Sequence, residues 1–118
     1  ESMIAALELL KDTPGQRHIA ILGTMKELGG KSAQLHSQVG QKAKALNLDA
    51  LLILVDDSEA EAIAMGSSGI PTECFKTHSE LVERLQDLIQ PGDRLLFKAS
   101  NSVGLNQVVQ QVINRFKD

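Results

Sequence analysis

Two segments of the chain combine glycine, lysine and hydroxyl residues in a way that could serve phosphate binding. The first spans residues 23–32 and ends in Gly29-Gly30-Lys31-Ser32. A P-loop requires the spacing GxxxxGK[ST], because successive backbone N–H groups must wrap one phosphate group. The first glycine of that pattern would fall on Met25. We therefore expect a glycine-rich loop rather than a P-loop, with Lys31 in solvent and Ser32 capping the helix that follows.

The second segment is Lys98-Ala99-Ser100-Asn101-Ser102, directly after an apolar run. A lysine and hydroxyl groups at the end of a strand, before the N-terminus of a helix, could meet phosphate or carboxylate groups. The same residues could also form a polar loop that only caps the next helix. Both interpretations stay open from the residues alone.

Metal binding and nucleophilic catalysis find little support in the sequence. His18, His36 and His78 are far apart, with no helical i, i+4 pair and no cysteine neighbour, so we predict no metal site. Asp56-Asp57 could bind a cation, but acidic residues at a strand end commonly cap the next helix. Cys74 is the single cysteine, and we expect it to be a small buried apolar residue in a strand.

Composition excludes several classes of protein. The 118 residues are 42% hydrophobic, which is enough for one aliphatic core, and the net charge is −3. Lysine and arginine are scattered, whereas a nucleic-acid surface needs a basic patch. No apolar run reaches the roughly 20 residues that span a bilayer. A single cysteine fits a reducing compartment, so we expect a cytoplasmic location.

Helical and strand patterns alternate along the chain. Apolar spacing predicts helices over residues 2–11 and 32–46 and a final one from Leu105 to Phe116. Two capping boxes, Ser58 with Glu61 and Thr77 with Glu80, predict two more helices. Apolar runs predict strands at residues 18–22, 50–55, 71–75 and 95–98. Alternating βα units predict a Rossmann-like three-layer α/β domain, a mostly parallel sheet with helices on both faces and ligands beyond its carboxyl edge.

Four motifs follow one another in a specific order. They are Glu1-Ser2-Met3, then Gly23-x-Met25-x-Glu27-Leu28-Gly29 with Ser32 and His36 behind it, then Pro91-Gly92-Asp93, and finally Lys98-x-Ser100. Taken together they resemble the C-terminal domain of the Mur family of ATP-dependent peptide ligases. In that family one strand ends in Gly-Asp-Met-x-Glu-Leu-Gly, and a later one leads to Lys-Gly-Ser-Arg. The resemblance covers nearly all of residues 1–118. It implies that these residues form a single domain, without the UDP-binding and central ATP-binding domains of the family.

Two departures from the family pattern lie at the predicted strand ends. Thr24 stands where the family has aspartate, and Asn101 stands where it has arginine. Both remove a charge where ligands would lie, so they bear on substrate contacts more than on the fold. The resemblance begins just after a Tyr-Asn-Ala-Asn-Pro loop and its strand. We therefore expect an unpaired sheet edge and self-association of this polypeptide.

The resemblance implies a ligase that uses ATP and Mg²⁺. Its central domain phosphorylates the carboxylate of UDP-N-acetylmuramoyl-tripeptide, and the amine of D-alanyl-D-alanine attacks the acyl phosphate. The C-terminal domain closes over the site and keeps water away. By this resemblance Lys98, Ser100, Thr24 and Asn101 would face nucleotide or substrate. Glu27, Ser32 and His36 would shape the loop at the domain interface, although His36 could equally be structural.

Three functional interpretations follow. The first is a ligase domain that carries no catalytic set and is inert alone. The second is a stand-alone Rossmann-like module that binds a small phosphorylated ligand, which calorimetry with ATP would reveal. The third, suggested by Thr24 and Asn101, is a scaffold with only protein partners.

Overall fold

Helices and strands alternate along the whole chain, as the apolar patterns predict. A computed structural model describes residues 3–25, 29–55, 59–100 and 103–116. Within these ranges the helices are α1 (Met3–Asp12), α2 (Ser32–Ala45), α3 (Glu61–Gly66), α4 (His78–Leu88) and α5 (Leu105–Arg115). The strands are β1 (Arg17–Gly23), β2 (Ala50–Leu54), β3 (Thr72–Phe75) and β4 (Asp93–Lys98). A short 3₁₀ turn, Gly29–Lys31, precedes α2.

The described strands form one parallel sheet in the order β3-β2-β1-β4. At its centre, Ile21 of β1 lies opposite Leu52 of β2 on one side and Phe97 of β4 on the other. Because all four strands run the same way, their carboxyl ends share one edge. That edge is where ligands sit in folds of this type.

Helices cover both faces of the sheet, and β1 shows why. Ala20 and Leu22 pack into an apolar layer with α1, α2 and α3, whereas Ile19 and Ile21 pack into a second layer with α4 and α5. Successive strand residues point to opposite faces, so a strand buried on both sides must be apolar throughout. The predicted three-layer α/β architecture is confirmed.

The two predicted capping boxes have different outcomes. The Thr77 hydroxyl accepts the backbone N–H of Glu80 at 3.1 Å, and α4 begins there as expected. Helix α3 begins at Glu61 with Ala60 in the cap position and no side-chain cap. Glu61 therefore opens the helix and is not its third residue, so the predicted Ser58–Glu61 box is wrong. Ser58 itself lies outside the described residues. The S-x-x-E spacing alone placed the start of α3 too early.

The two outer strands are less buried than the sequence suggests. Cys74 lies on β3 and is exposed, so its predicted burial is wrong, because β3 is an edge strand. Partial desolvation and the nearby Glu61 carboxylate raise the pKa of its thiol, which disfavours the reactive thiolate.

On α5, Ile113 and Phe116 are 44% and 52% exposed, so the buried face of this helix is narrower than the apolar pattern predicts.

No helix among the described residues is long and apolar enough to cross a membrane.

Candidate functional site

The ends of β1 and β4 meet at the carboxyl edge of the sheet. The backbone N–H of Ser100 donates to the carbonyl oxygen of Thr24 at 3.1 Å. Gly23, the last residue of β1, sits so close to the loop after β4 that an added Cβ would lie 3.0 Å from Val103 Cγ1 and 3.1 Å from Ala99 Cβ. A Cβ at Gly23 would require these side chains to give by a few tenths of an ångström. Two of the predicted site segments are therefore joined directly, through Thr24 and Ser100, which are 76 positions apart in the sequence.

Lys98 and Ser100 lie together at the end of β4 but line different clefts. Lys98 pairs in register with Leu22 and lines a cleft of about 340 Å³ between β4 and α1. Ser100 lines a cleft of about 230 Å³ between β4 and α5, together with Asn106 and Val109. Both residues are half-buried. A ligand that contacts both Lys98 and Ser100 would have to lie across the carboxyl end of β4.

Thr24 is fully buried, so its contribution to this edge is its backbone carbonyl. Direct contact between its side chain and a ligand would require the loop to open. Asn101 and Glu27, also predicted as site residues, lie outside the described residues, as do Asp56 and Asp57. Lys31 is exposed, as expected for the glycine-rich loop.

His36 is completely buried and is bound through both ring nitrogens. Its Nε2 accepts the backbone N–H of Met25 at 3.0 Å, and its Nδ1 donates to the carbonyl oxygen of Ser32 at 2.7 Å. A backbone N–H only donates and a carbonyl only accepts, so the ring is neutral with its proton on Nδ1. His36 thereby connects the first turn of α2 to the residue that follows Thr24.

Ser32 does not cap α2, contrary to the sequence prediction. Lys31 holds the cap position without a side-chain bond, and Ser32 is the first helical residue. Its hydroxyl instead donates to Glu59 Oε2 at 2.7 Å and lies 3.2 Å from His36 Nδ1. The helix begins one residue earlier than a serine cap requires, and this turns the side chain towards the loop after β2.

These three side chains resemble a hydrolase triad only in composition. In such a triad the serine donates to the imidazole and the carboxylate binds the other ring nitrogen. Here the hydroxyl of Ser32 donates to Glu59, and His36 Nε2 is already occupied by Met25. The serine is also only 6% exposed. The cluster is therefore built to hold two loops, not to attack a substrate.

Two participating residues were not identified from the sequence. Glu59 belongs to an acidic run that gives no sign of a buried serine partner. His78 opens α4, and its Nε2 donates to the carbonyl oxygen of Val103 at 2.8 Å, in the loop after β4. Both contacts join loops that are distant in sequence, so only the three-dimensional arrangement reveals them.

At the carboxyl edge of the sheet, the side chains of the described residues are better suited to binding a ligand than to catalysis. It contains no group of three or more His, Cys, Asp or Glu side chains arranged to hold a metal ion. Lys98 supplies a cation and Ser100 a hydroxyl group, which suit phosphate or carboxylate oxygens. Among the described residues at this edge, no nucleophile lies against a free base.

Comparison with known proteins identifies a family for the chain. The family model "Mur ligase, glutamate ligase domain" matches residues 1–101. A UDP-N-acetylmuramoyl-tripeptide–D-alanyl-D-alanine ligase from Synechocystis sp. is 53% identical over 113 residues, covering 96% of this chain and 25% of that protein. The Escherichia coli enzyme of the same name is 37% identical over 111 residues, covering 92% and 24%. The chain thus spans about a quarter of the length of these relatives.

Solved structures lead to the same family. A MurF ligase from Thermotoga maritima in complex with ADP matches with a TM-score of 0.80 and 28% identity, over 95% of this chain and 25% of that one. MurF from Acinetobacter baumannii matches with a TM-score of 0.82 and 27% identity, over 96% and 25%. With the fold and the sequence matches in agreement, this chain belongs to the Mur ligase, glutamate ligase domain family.

Proposed function

We propose that this chain forms the C-terminal domain of an ATP-dependent ligase that joins D-alanyl-D-alanine to UDP-N-acetylmuramoyl-tripeptide. The observation that carries it is the junction of β1 and β4, where the Ser100 N–H binds the Thr24 carbonyl beside Lys98. The 53% identical Synechocystis relative has that activity in its name. The rest of the ligase, including its central ATP-binding domain, is the partner that this edge would face.

In this role the strand ends supply contacts to nucleotide or dipeptide. The ammonium group of Lys98 and the hydroxyl of Ser100 suit phosphate oxygens, and charge-assisted hydrogen bonds of this kind are the stronger ones. Asn101 and Thr24 would contribute at the same ends, with Glu27, Ser32 and His36 shaping the neighbouring loop. When this edge presses against the ATP-bearing domain it would also exclude water, which hydrolyses acyl phosphates.

ATP and Mg²⁺ belong to the complete ligase in this proposal. A structural relative holds ADP, which supports nucleotide use. The described residues offer Lys98 and Ser100 to a nucleotide, whereas their carboxylates and histidines form no metal-binding cluster. We therefore assign Mg²⁺ to the remainder of the enzyme, where it would neutralise phosphate charge during carboxylate activation. The reaction's place in the synthesis of peptidoglycan precursors fits the predicted cytoplasmic location.

A chimaeric ligase tests the proposed function. In it, this chain replaces the matching quarter of the Synechocystis ligase. We expect the chimaera to form the amide bond and release ADP and phosphate, while the 118-residue chain alone turns over no ATP. An inactive but folded chimaera would reject the ligase assignment. Tight binding of ATP by the isolated chain in calorimetry would favour a stand-alone binding module instead.

A further inference from the structure

A line of hydrogen bonds, with one step along the backbone from Met25 to Thr24, links three of the four described strand ends. It starts at Glu59, after β2, and passes through Ser32 and His36 to the backbone of Met25. The next residue back, Thr24, accepts the N–H of Ser100 after β4. The Ser32–His36 link lies within the first turns of α2, the other links join different loops, and the donor–acceptor distances run from 2.7 to 3.2 Å.

We infer that His36, as the neutral Nδ1–H tautomer, is a positioning residue that fixes the loop after β1 and thereby the strand ends that meet the ligand. This role rests on the proposed function and deepens it. Its hydrogen bond from the Met25 N–H separates this role from simple core packing. An apolar residue would fill the same space, yet it would leave the Met25 N–H without its acceptor inside the protein, which costs free energy.

The direction of the hydrogen bonds makes His36 difficult to replace. Its Nε2 must accept from Met25 while its Nδ1 donates to the Ser32 carbonyl. The Ser32 hydroxyl is then free to donate to Glu59, so the loop after β2 is held by the same helical turn. Glutamine can place an oxygen acceptor near the position of Nε2. Asparagine is too short for this and reaches only the Nδ1 position.

Nuclear magnetic resonance of the isotopically labelled chain tests the contact. We expect the ¹⁵N spectrum of His36 to show a protonated Nδ1 and an unprotonated Nε2. The amide of Met25 should exchange about tenfold faster in H36N than in the unsubstituted chain, and H36Q should restore most of the protection. The amide of Leu52, in the centre of the sheet, should exchange alike in all three proteins.

A functional readout separates positioning from folding. In the chimaeric ligase we expect H36N to raise the KM for ATP about tenfold and H36Q to recover most of it. An Nε2–H tautomer in the unsubstituted chain would overturn the inference without any substitution. Equal Met25 exchange, or equal KM, in H36N and H36Q would also overturn it. If the contact is found while Lys98 proves irrelevant to activity, the proposed function fails and the contact stands.

Discussion

The buried carboxylate of Asp93 forms an ion pair with Arg17 that holds the amino ends of β1 and β4 together. Arg17 Nε and Nη2 donate to its two oxygens at 2.8 and 2.7 Å, and Nη2 also donates to the carbonyl of Leu88 at 2.7 Å. The Asp93 side chain is 1% exposed, whereas that of Arg17 is 30% exposed. The hydrogen bond from Arg17, with a second from the backbone of Gln90, lowers the pKa of the Asp93 carboxyl.

Lowering the pH should therefore weaken the contact between Arg17 and Asp93. A carboxyl with a lowered pKa in the folded state stabilises the protein above the ordinary aspartate pKa of about 4, and its contribution is lost as pH falls through the folded value. We expect D93N to reduce the free energy of unfolding at pH 7 by about 1.5–3 kcal/mol and to flatten its acid dependence. Chemical denaturation from pH 7 to pH 3 measures both effects.

Glu8 provides the matched control for Asp93. It lies 2.8 Å from Lys42 Nζ on the surface, and its side chain is 51% exposed. Exposed ion pairs contribute only about 0–1 kcal/mol, so E8Q should change little. Equal losses in D93N and E8Q would contradict the distinction between the two ion pairs.

At the level of single residues, the sequence predicted where the site residues lie better than it predicted which groups they contact. Lys98 and Ser100 stand at the end of β4 as predicted from their place after an apolar run. The hydroxyl of Ser32 was assigned to the wrong partner, because capping rules see only neighbours in sequence. The partner it does bind, Glu59, comes from a different βα unit. Binding roles for Lys98, Ser100, Thr24 and Asn101 stay predictions.

Helices α2 and α3 cross so closely that glycine is required at the contact. A Cβ on Gly40 would lie 2.0 Å from the carbonyl oxygen of Ile63, and one on Gly66 would lie 2.1 Å from that of Ser37. The obstructing atoms are backbone and cannot move aside without separating the helices. The apolar pattern of α2 identified its buried face but not this close approach, because the glycines interrupt the pattern and do not extend it.

Alanine at this crossing should be costly. We expect G40A to lower the free energy of unfolding by about 1–3 kcal/mol, as overpacking of a well-packed interface does. G30A is the matched control, since no atom lies within 4 Å of its added Cβ. It should stay within about 0.5 kcal/mol of the unsubstituted chain. Thermal or chemical unfolding compares the two, and equal stability of G40A and G30A would contradict the close crossing.

Strand β4 presents an edge that is bonded only to β1 among the described residues. Its residues Leu95, Leu96 and Phe97 are half-buried, while β1 and β2 are almost fully buried. The cleft beside it is lined by α1, where Leu9 is 66% exposed. Open edges with apolar flanks favour pairing with another chain, so this is the surface through which we expect self-association.

Sedimentation equilibrium checks this expectation. The apparent mass of the 118-residue chain should rise with concentration, and L9K should shift the association to higher concentration by placing a charge beside the cleft. M65K is the control, because Met65 is 78% exposed on α3, away from β4. A monomer at every concentration, or equal effects of L9K and M65K, would contradict an interface at β4.

Across the whole molecule, the alternation of apolar runs was enough to predict layered parallel α/β architecture. Strand runs such as residues 50–55 are apolar throughout, which only burial on both faces explains. The order β3-β2-β1-β4 was not predictable, because apolar runs do not specify their neighbours. Strand β4 follows β3 in the chain yet lies beside β1. That placement is what brings Lys98 and Ser100 to Thr24.

The proposed function requires that the edge formed by β1 and β4 contributes to the reaction of a larger ligase. The most direct measurement compares K98A and K11A in the chimaeric ligase; Lys11 is an exposed lysine in the last turn of α1. We expect K98A to lower kcat/KM for ATP about 10- to 100-fold, as the loss of a charged hydrogen bond would, with K11A unchanged. Equal activity of the two variants would contradict the account.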